Sequence, residues 1–392
     1  MNGVEPQAVN LCPGRVAALS SGGASAAWSA DALLTDFLHE MMHVLAFSAG
    51  LYRFFPSEGA HIAPGPDNGL LVSSPAVLNI ARQHFGCPSL QGVPLETQGG
   101  SGTAATHWRL RTLNGELMTG TIITGQRPRL SNFTLAFLQD TAWYVPQYGA
   151  AERLAWGAGA GCEFVTAASC AELPRNASSF FCTPNANSSA AVSCTSDNLA
   201  VGACSPLPLT RPDERCFGVA SYSNWQCRDA ALESADRAMW GYRFGPGSRC
   251  LPTGSKPWSR TDKSGSVLLT QESVVPGCFA MRCNASGSLY VSIDDVLVAC
   301  PQGQLVELST VKGAACVRFL LQRRACIPCA SDAHATTAGL RFRSGQLGPC
   351  PPAAQVCPAC PNDCSTAGEC TKDGKCMCWP GFEGPDCSTL AT

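Results

Sequence analysis

Cysteine dominates this sequence, accounting for 24 of its 392 residues. So many thiols would be a liability in a reducing cytosol, whereas disulfide-rich proteins persist in secretory and extracellular compartments. We therefore predict a secretory-pathway protein whose fold is cross-linked by disulfides. Hydrophobic residues make up 45% of the chain, which is enough for a sizeable core and excludes wholesale disorder.

The charge balance excludes a large nucleic-acid-binding surface. The chain has 27 Lys and Arg residues against 29 Asp and Glu residues, a net charge of −2, and only 14% charged residues in all. Binding to phosphate backbones needs a basic face or stripe. We expect no nucleic-acid partner.

The ends of the sequence lack the usual secretory signals. Residues 1–15 contain no basic segment followed by an apolar stretch, and no long apolar run that could anchor the chain in a membrane occurs anywhere. We therefore expect an extracellular or cell-surface protein whose signal peptide is missing from this chain. Four Asn-x-Ser/Thr sequons agree with secretory transit and are candidate glycosylation sites: Asn132, Asn176, Asn187 and Asn284.

Helical patterns concentrate in the first 160 residues. An apolar i, i+3, i+4, i+7 stripe predicts a helix over Leu33–Ser48, preceded by a small-residue loop at 22–27. A second helix is predicted between Ser74 as N-cap, with Pro75 at its first position, and Gly86 as its stop. A third is predicted over Asn132–Trp143.

The composition of the sequence changes after Cys162. Cysteines recur every few to twenty residues, and short apolar runs such as Val267–Leu269 and Leu289–Ile293 alternate with Gly, Ser, Pro and Asn. This pattern predicts a loop-rich, mainly β domain held by disulfides. The Pro-rich stretch at 348–361 resembles a linker.

The segment His39-Glu40-Met41-Met42-His43 carries the strongest chemical signal. Residues four apart share a helical face, so both imidazoles can reach one metal ion, with Glu40 beside them to activate a water molecule. The motif predicts one Zn²⁺ ion held by His39 and His43, with Glu40 as general base. The alternative is a buried helix with incidental histidines.

A catalytic zinc site needs a third protein ligand. His84 lies in the second predicted helix and is expected to be solvated or partly buried, while His61 and His334 lie in loops with no partner pattern. His107 precedes Met118, and metzincin proteases place such a methionine beneath the zinc in a Met-turn. The residues alone give His107 only a modest lead.

Five segments together resemble the active-site and central segments of leishmanolysin, the zinc surface protease of trypanosomatid parasites and a metzincin. They are HEMMHVLAFS, SPAVLNIARQHFGC, LETQGGSGTAATHW, NGELMTG and LAFLQDTAWY. The likeness is strong over about 9–165 and continues to about 350 mainly through cysteine density. That family has a long insertion between its second and third zinc histidines, and here His43 and His107 are 64 residues apart.

The resemblance implies roles for particular residues. His39, His43 and His107 become the zinc ligands, Glu40 the general base and Met118 the Met-turn residue. It also implies a disulfide between Cys87 and Cys162.

The resemblance also raises two expectations about the start of the chain. Most members have glycine where this chain has Ala46, and alanine would cost roughly 1–2 kcal/mol if a left-handed conformation were kept there. Members also carry a pro-segment and most of a β-sheet before the active-site helix, and none of this precedes Val9. An N-terminally truncated chain is expected, in which Leu34, Phe37, Leu38 and Met41 have little to bury against.

The last six cysteines have the spacing of an EGF-like module, which ends in Gly381–Cys387. Likeness to EGF modules implies the pairs Cys360–Cys370, Cys364–Cys376 and Cys378–Cys387. A unit this small depends on such bridges. Zinc binding is the disfavoured alternative for the pairs Cys326-x2-Cys329 and Cys357-x2-Cys360, because no matching histidine or second CxxC lies at finger spacing. We expect a spacer or adhesion unit.

Together these features predict an α+β protein: a metzincin-type catalytic remnant, then a disulfide-rich, mainly β domain and a small EGF-like module. The expected domains are a truncated catalytic subdomain (1–48), a central domain with the third zinc ligand and the Met-turn (49–165), a cysteine-rich domain (166–350) and the EGF-like module (358–388).

Two functions are compatible with this organisation. The first is zinc-dependent endoproteolysis of extracellular or surface proteins, with a cell-adhesion role through matrix or host surface proteins. The alternative is a catalytically inactive fragment or pseudoprotease that acts as a surface adhesion protein.

Overall fold

The computed structural model describes residues 25–392 apart from 57–61, 66–67, 124–125, 127, 175–176, 178, 184–191, 255, 257, 262–263, 265, 272–274, 284–287, 295, 311–340, 352, 357–367, 371–375, 379–381, 386–388 and 391–392. The chain forms two compact units: unit 1 is Met1–Cys182 with Pro206–Gly218, and unit 2 is Thr183–Ser205 with Val219–Thr392. This mixed architecture, with a disulfide-rich sheet region, is that of an α+β protein. The four-part domain division is finer than these units and stays a prediction.

Helices provide most of the regular structure described in unit 1. Apart from 3₁₀ turns, its elements are α1 (Ser25–Leu45), α2 (Ala49–Tyr52), β1 (Ile62–Pro64), β2 (Leu70–Val72), α3 (Pro75–Phe85), β3 (Val93–Pro94), α4 (Leu110–Leu113), α5 (Asn132–Asp140) and α6 (Cys162–Thr166). The three strands form one small antiparallel sheet in the order β1-β2-β3.

Helix α1 lies closer to the N-terminus than the predicted Leu33–Ser48. The predicted loop at 22–27 is wrong from Ser25 onward, because the alanine-rich start of α1 has a high intrinsic helix propensity. The helix ends at Leu45, where the Phe47 N–H donates to the Met42 carbonyl over 2.9 Å.

The apolar stripe of α1 is only partly covered. Leu34 is 56% exposed and Phe37 is 36% exposed. Leu38 and Met41 are half-buried, and Met42, on the next turn, is buried. The helix is therefore packed best at its C-terminal end, where its two histidines lie.

Ala46 does not adopt the left-handed conformation that glycine would favour. It is absent from the described residues with positive φ, and its side chain is completely buried. Its N–H donates to the Met42 carbonyl over 2.9 Å, which continues the helical pattern by one residue. The strain expected of alanine at this position therefore does not arise.

Helix α3 starts and ends as predicted, but its N-terminal cap is different. Ser74 makes no capping bond with its side chain. The Asp140 carboxylate, at the end of α5, instead accepts from the Ala76 and Val77 N–H groups, each over 3.0 Å. At the other end, Gly86 has φ 67°, which glycine adopts without strain. The cap ties α5 to α3.

Helix α5 ends at Asp140, earlier than the predicted Trp143, because Ala142 turns into the left-handed region with φ 57°. Its buried face contributes Phe137 to an aromatic cluster. The Phe137 ring centroid lies 4.6 Å from that of Phe47 and 5.7 Å from that of Trp108. This cluster joins the segment after α1 to α5.

Unit 2 consists mainly of short antiparallel strands, as its alternating sequence predicts. Its sheets have the orders β4-β5-β6, β12-β11-β10-β7, β14-β8-β9, β13-β15, β16-β17 and β18-β19. The strands are β4 (Val192–Cys194), β5 (Ala200–Pro206), β6 (Phe217–Gln226), β7 (Ser248–Leu251), β8 (Trp258–Thr261), β9 (Val267–Gln271), β10 (Gly277–Cys283), β11 (Leu289–Ile293), β12 (Val296–Ala299), β13 (Val306–Glu307), β14 (Arg341–Ser344), β15 (Gln346–Leu347), β16 (Gly368–Cys370), β17 (Cys376–Cys378), β18 (Phe382–Glu383) and β19 (Thr389–Leu390).

Disulfides and aromatic rings together form the core of unit 2. The cystines Cys194–Cys250, Cys227–Cys278 and Cys300–Cys350 each close a loop of 50 to 56 residues. Most of these six sulfur-bearing residues lie in one buried cluster with Trp258 and Phe279. The crosslinks thus lie inside the core rather than at its surface.

Candidate metal centre

Three histidine side chains from two distant segments meet at one point. His39 and His43 lie one turn apart on α1, and their Nε2 atoms are 3.2 Å apart. His107 approaches from the segment before α4, and its Nε2 atom lies 3.1 Å from each of the other two. Among the described residues, this is the one group of three His, Cys, Asp or Glu side chains close enough to share a metal ion.

The other ring nitrogen of each histidine lies against a backbone carbonyl. His39 Nδ1 is 2.7 Å from the Leu117 carbonyl oxygen, and His43 Nδ1 is 2.7 Å from that of Phe47. His107 Nδ1 is 3.0 Å from the Thr103 carbonyl oxygen. Because a carbonyl can only accept, each Nδ1 must carry the proton.

Protonation at Nδ1 leaves a lone pair on each Nε2, so three lone pairs point at one another across 3.1–3.2 Å. None of these atoms can donate to another, so the three nitrogens offer their lone pairs to a shared cation. Zinc–imidazole bonds of about 2.0–2.1 Å in a tetrahedral site would separate the nitrogens by about 3.3–3.4 Å. The three residues therefore fit a zinc ion with little movement.

Burial favours the neutral forms of His39 and His107, and histidine ligands of a metal must be neutral. Desolvation, aided by the charges of His43 and His39 and opposed by the bond to the Thr103 carbonyl, lowers the pKa of His107 to about 4. Desolvation also lowers the pKa of His39, against the opposing effects of its bond to the Leu117 carbonyl and of the Glu40 charge. At neutral pH both rings can offer a lone pair.

Glu40 and Met118 occupy opposite environments. Glu40 is exposed and follows His39 on α1, so its carboxylate is accessible to solvent. Met118 is completely buried, and its carbonyl accepts from the Trp108 N–H over 2.8 Å. Met118 therefore belongs to the protein interior, and Glu40 to the solvent-accessible side.

The sequence did not indicate the carbonyl groups that orient the histidines. Leu117 and Phe47 are ordinary apolar residues, and their role depends on a backbone position that no side-chain pattern encodes. The complete burial of Glu116, which precedes Leu117, was also missed, because the sequence shows the residue but not its environment.

The remaining predicted residues lie away from this centre or outside the described part of the chain. His84 Nε2 is 2.7 Å from the Trp156 carbonyl oxygen, and burial lowers the pKa of this half-buried ring. His61 and His334 lie outside the described residues.

Cys87 and Cys162 form a disulfide with an S–S distance of 2.02 Å, which links the end of α3 to the start of α6. In the EGF-like region, β16 pairs with β17 so that Cys370 lies opposite Cys376. The three EGF-like pairs stay a prediction, because Cys360, Cys364 and Cys387 lie outside the described residues.

The candidate glycosylation sites also stay predictions. Asn132 is half-buried at the first residue of α5. Asn176, Asn187 and Asn284 lie outside the described residues.

Comparisons with known proteins place the chain in a family. The sequence pattern described as leishmanolysin, peptidase M8, matches residues 16–341. A leishmanolysin-like peptidase of Caenorhabditis briggsae is 28% identical over 369 residues, which cover 72% of this chain and 53% of the relative. A ciliated left-right organizer metallopeptidase of Mus musculus is 28% identical over 341 residues, 81% of this chain and 46% of the relative.

A leishmanolysin homolog of Crithidia fasciculata is 28% identical over 303 residues, which cover 70% of this chain and 44% of that protein. The chain thus spans about half the length of the curated relatives it matches. The family pattern extends over most of this chain and includes all three converging histidines. The chain belongs to the leishmanolysin family of metallopeptidases.

Proposed function

We propose that this chain is a zinc-dependent endopeptidase that hydrolyses peptide bonds of extracellular or surface proteins. The observation that carries the proposal is the convergence of three imidazole Nε2 atoms whose Nδ1 atoms are all engaged by carbonyls. Three neutral nitrogen donors suit one Zn²⁺ ion and leave a coordination position for chemistry.

Each residue at the centre has a distinct part. His39, His43 and His107 hold the ion, which when bound supplies the Lewis acidity that acidifies water and polarises a carbonyl. Glu40 accepts the proton of the attacking water and later delivers it to the leaving amine. Its exposed position on α1 gives it access to both solvent and substrate. Met118 packs beneath the site as the Met-turn residue.

Compartment and partners follow from the cysteines and the family. Disulfides such as Cys87–Cys162 and Cys227–Cys278 are stable in oxidising compartments, which supports an extracellular or cell-surface location. Among the described residues, no helix combines the length and apolar character needed to cross a membrane. The substrates are proteins, and adhesion to matrix or host surface proteins would involve the cysteine-rich and EGF-like regions.

The test compares hydrolysis of a quenched peptide pool by the wild-type chain and by Glu40→Gln, both made in a secretory host. Removing a general base lowers rates by about 10²–10⁴-fold, and we expect such a fall with zinc content unchanged. The matched control is Glu163→Gln, which changes an exposed glutamate on α6. Equal activity in Glu40→Gln and wild type would contradict the proposal.

Zinc content separates the proposal from its alternative, a non-catalytic surface binding protein. We expect about one zinc per chain, lost in His107→Ala and kept in Glu163→Gln. A chain that holds zinc tightly but cleaves nothing in the pool would favour the alternative.

A further inference from the structure

A buried carboxylate precedes the residue whose carbonyl contacts His39, and the chemistry described so far makes no use of it. Glu116 is completely buried. Its Oε2 atom accepts from the Met118 N–H over 2.5 Å. Its Oε1 atom accepts from the Ser131 hydroxyl over 2.9 Å, the Ser131 N–H over 3.3 Å and the Thr134 hydroxyl over 2.6 Å. One carboxylate thus joins the Met-turn to the first turn of α5.

The turn held by Glu116 orients the first histidine. Leu117, between Glu116 and Met118, provides the carbonyl that accepts from His39 Nδ1 over 2.7 Å. The Met118 N–H and the Leu117 carbonyl belong to the same planar peptide unit, so holding this N–H on the carboxylate also fixes the direction of the carbonyl. The direction of that carbonyl sets both the tautomer and the ring orientation of His39.

The same carboxylate reaches the third histidine through Trp108, the residue after His107. The Trp108 N–H donates to the Met118 carbonyl over 2.8 Å, and its indole Nε1 donates to the Thr134 hydroxyl over 3.0 Å. The Thr134 hydroxyl in turn donates its proton to Glu116. The segment carrying His107 is therefore hydrogen-bonded to Met118 and Thr134, the same two residues that donate hydrogen bonds to Glu116.

Only an acceptor-rich group satisfies this position. Four donors converge on the two carboxylate oxygens, and a glutamine would place an amide NH₂ against one set of them. Burial raises the pKa of Glu116 to about 7, and the bonds to Thr134, Met118 and Ser131 oppose that rise. Burying a carboxylate costs desolvation free energy, which a neutral side chain of similar size would avoid. The presence of a carboxylate here therefore indicates a role beyond packing.

We propose that Glu116 is a positioning residue for the metal centre, which sets the geometry of His39 and His107 by holding the Met-turn on α5. This inference rests on the proposed zinc site. Because the Leu117 N–H also donates to the Arg129 carbonyl over 2.8 Å, the turn persists without Glu116. The expected defect is misplacement of the ligands rather than loss of the fold.

The test is titration of metal-depleted protein with Co²⁺ and Zn²⁺, comparing wild type, Glu116→Gln and the control Glu163→Gln. Loss of an outer-shell partner weakens metal affinity by about 10–100-fold, and we expect Zn²⁺ affinity to fall in this range in Glu116→Gln. The visible absorption of bound Co²⁺, which reports ligand geometry, should also shift. Glu163→Gln should match wild type in both measurements.

A second pair of variants covers the case in which Glu116→Gln does not fold. Thr134→Val removes the hydroxyl between Glu116 and Trp108 and should weaken metal binding less than Glu116→Gln does. Thr134→Ser keeps the hydroxyl and should restore both affinity and Co²⁺ absorption.

The outcomes distinguish this inference from the function on which it rests. Folded Glu116→Gln and Thr134→Val proteins that bind metal with wild-type affinity and absorption would overturn the role of Glu116 alone. A wild-type chain that binds neither metal would overturn the zinc site and the inference with it.

Discussion

The two units of this protein are stabilised in different ways. Unit 1 combines its three converging histidines with an aromatic cluster and a buried hydrogen-bond network, and its described cystines Cys87–Cys162 and Cys170–Cys216 lie away from the histidines in sequence. Unit 2 is built from strands of two to ten residues, and its described cystines lie within its core. Packing and hydrogen bonds thus surround the three histidines of unit 1, whereas disulfides link the sheets of unit 2.

Element size explains this difference. Helices α3 and α5 and the C-terminal end of α1 bury apolar side chains, so packing can hold the segments that carry the histidines. The small sheets of unit 2 bury little surface each and depend on crosslinks. If this comparison is correct, a disulfide reductant should affect mainly unit 2, and a metal chelator should affect mainly unit 1.

Reduction of the disulfides should produce the largest effect. Each described cystine of unit 2 closes a loop of 50 to 56 residues, for which the chain-entropy estimate is about 4 kcal/mol. Dithiothreitol should therefore render unit 2 sensitive to protease while unit 1 keeps its bound zinc. Cleavage sites mapped by mass spectrometry, with zinc content measured in parallel, check this. Equal protection of both units in reductant would show that the crosslinks contribute little.

Metal removal should give the converse result. Zinc at a free concentration 1,000 times its Kd stabilises the native state by about 4 kcal/mol. Chelation should therefore lower the unfolding free energy of unit 1 by about this amount, with unit 2 unchanged. Hydrogen exchange measured separately in the two units, with and without chelator, tests this. His107→Ala is the control, because chelator should have no further effect on it.

Features that depend on local sequence patterns could be predicted from the sequence, and features that depend on long-range contacts could not. The periodicity of α1, the capping residues of α3 and the alternation in unit 2 are local patterns, and they predicted helices and strands well. The pair His39 and His43 could be placed on one face because four residues make one helical turn. His107 could not be paired with them by any local pattern; the residues alone gave it a modest lead, and the family resemblance made the assignment.

What the sequence missed depends on tertiary contacts. The cap on α3 comes from Asp140, 64 residues from Ala76 in the chain. The early end of α5 depends on a left-handed alanine, Ala142, which has no preference for that conformation. Glu116 appeared to be one more acidic residue, because its burial comes from α5 packing against the Met-turn.

A titratable group buried in unit 1 provides the next test. Glu116 has a pKa of about 7 in the folded state, well above its usual value, because burial disfavours its charge. Between about pH 4.5 and 7 the Glu116 carboxyl of the folded state therefore keeps a proton that the unfolded state releases, so the contribution of Glu116 to stability falls as pH rises, whereas that of His107, whose pKa is lowered to about 4, rises. The fall is about 3 kcal/mol from Glu116 alone, and Glu116→Gln should lack it. Denaturation of chelator-treated protein across this pH range measures the difference.

Glu307 in unit 2 is a control of opposite sign. Hydrogen bonds from Lys256 and Gln346 lower the pKa of this exposed carboxylate. Its small contribution is therefore present above the unfolded pKa and is lost as pH falls. Glu307→Gln should show the same pH dependence of stability as wild type between pH 4.5 and 7, and a Glu307→Gln protein that behaves like Glu116→Gln in this range would contradict the assignment to Glu116.

The smallest predicted effect concerns Ala46, at the junction between α1 and the aromatic cluster. Its methyl group is buried and its φ is not left-handed, so glycine would remove a packed methyl group, worth about 0.8 kcal/mol, and add backbone freedom, worth about 0.5–1 kcal/mol. Ala46→Gly should therefore destabilise unit 1 by about 1–2 kcal/mol. Urea unfolding monitored by tryptophan fluorescence provides the measurement. A more stable Ala46→Gly protein would instead indicate that alanine strains this turn in solution. In that case the segment joining His43 to Phe47 would be held against its backbone preference, and packing alone would not account for the order around the metal centre.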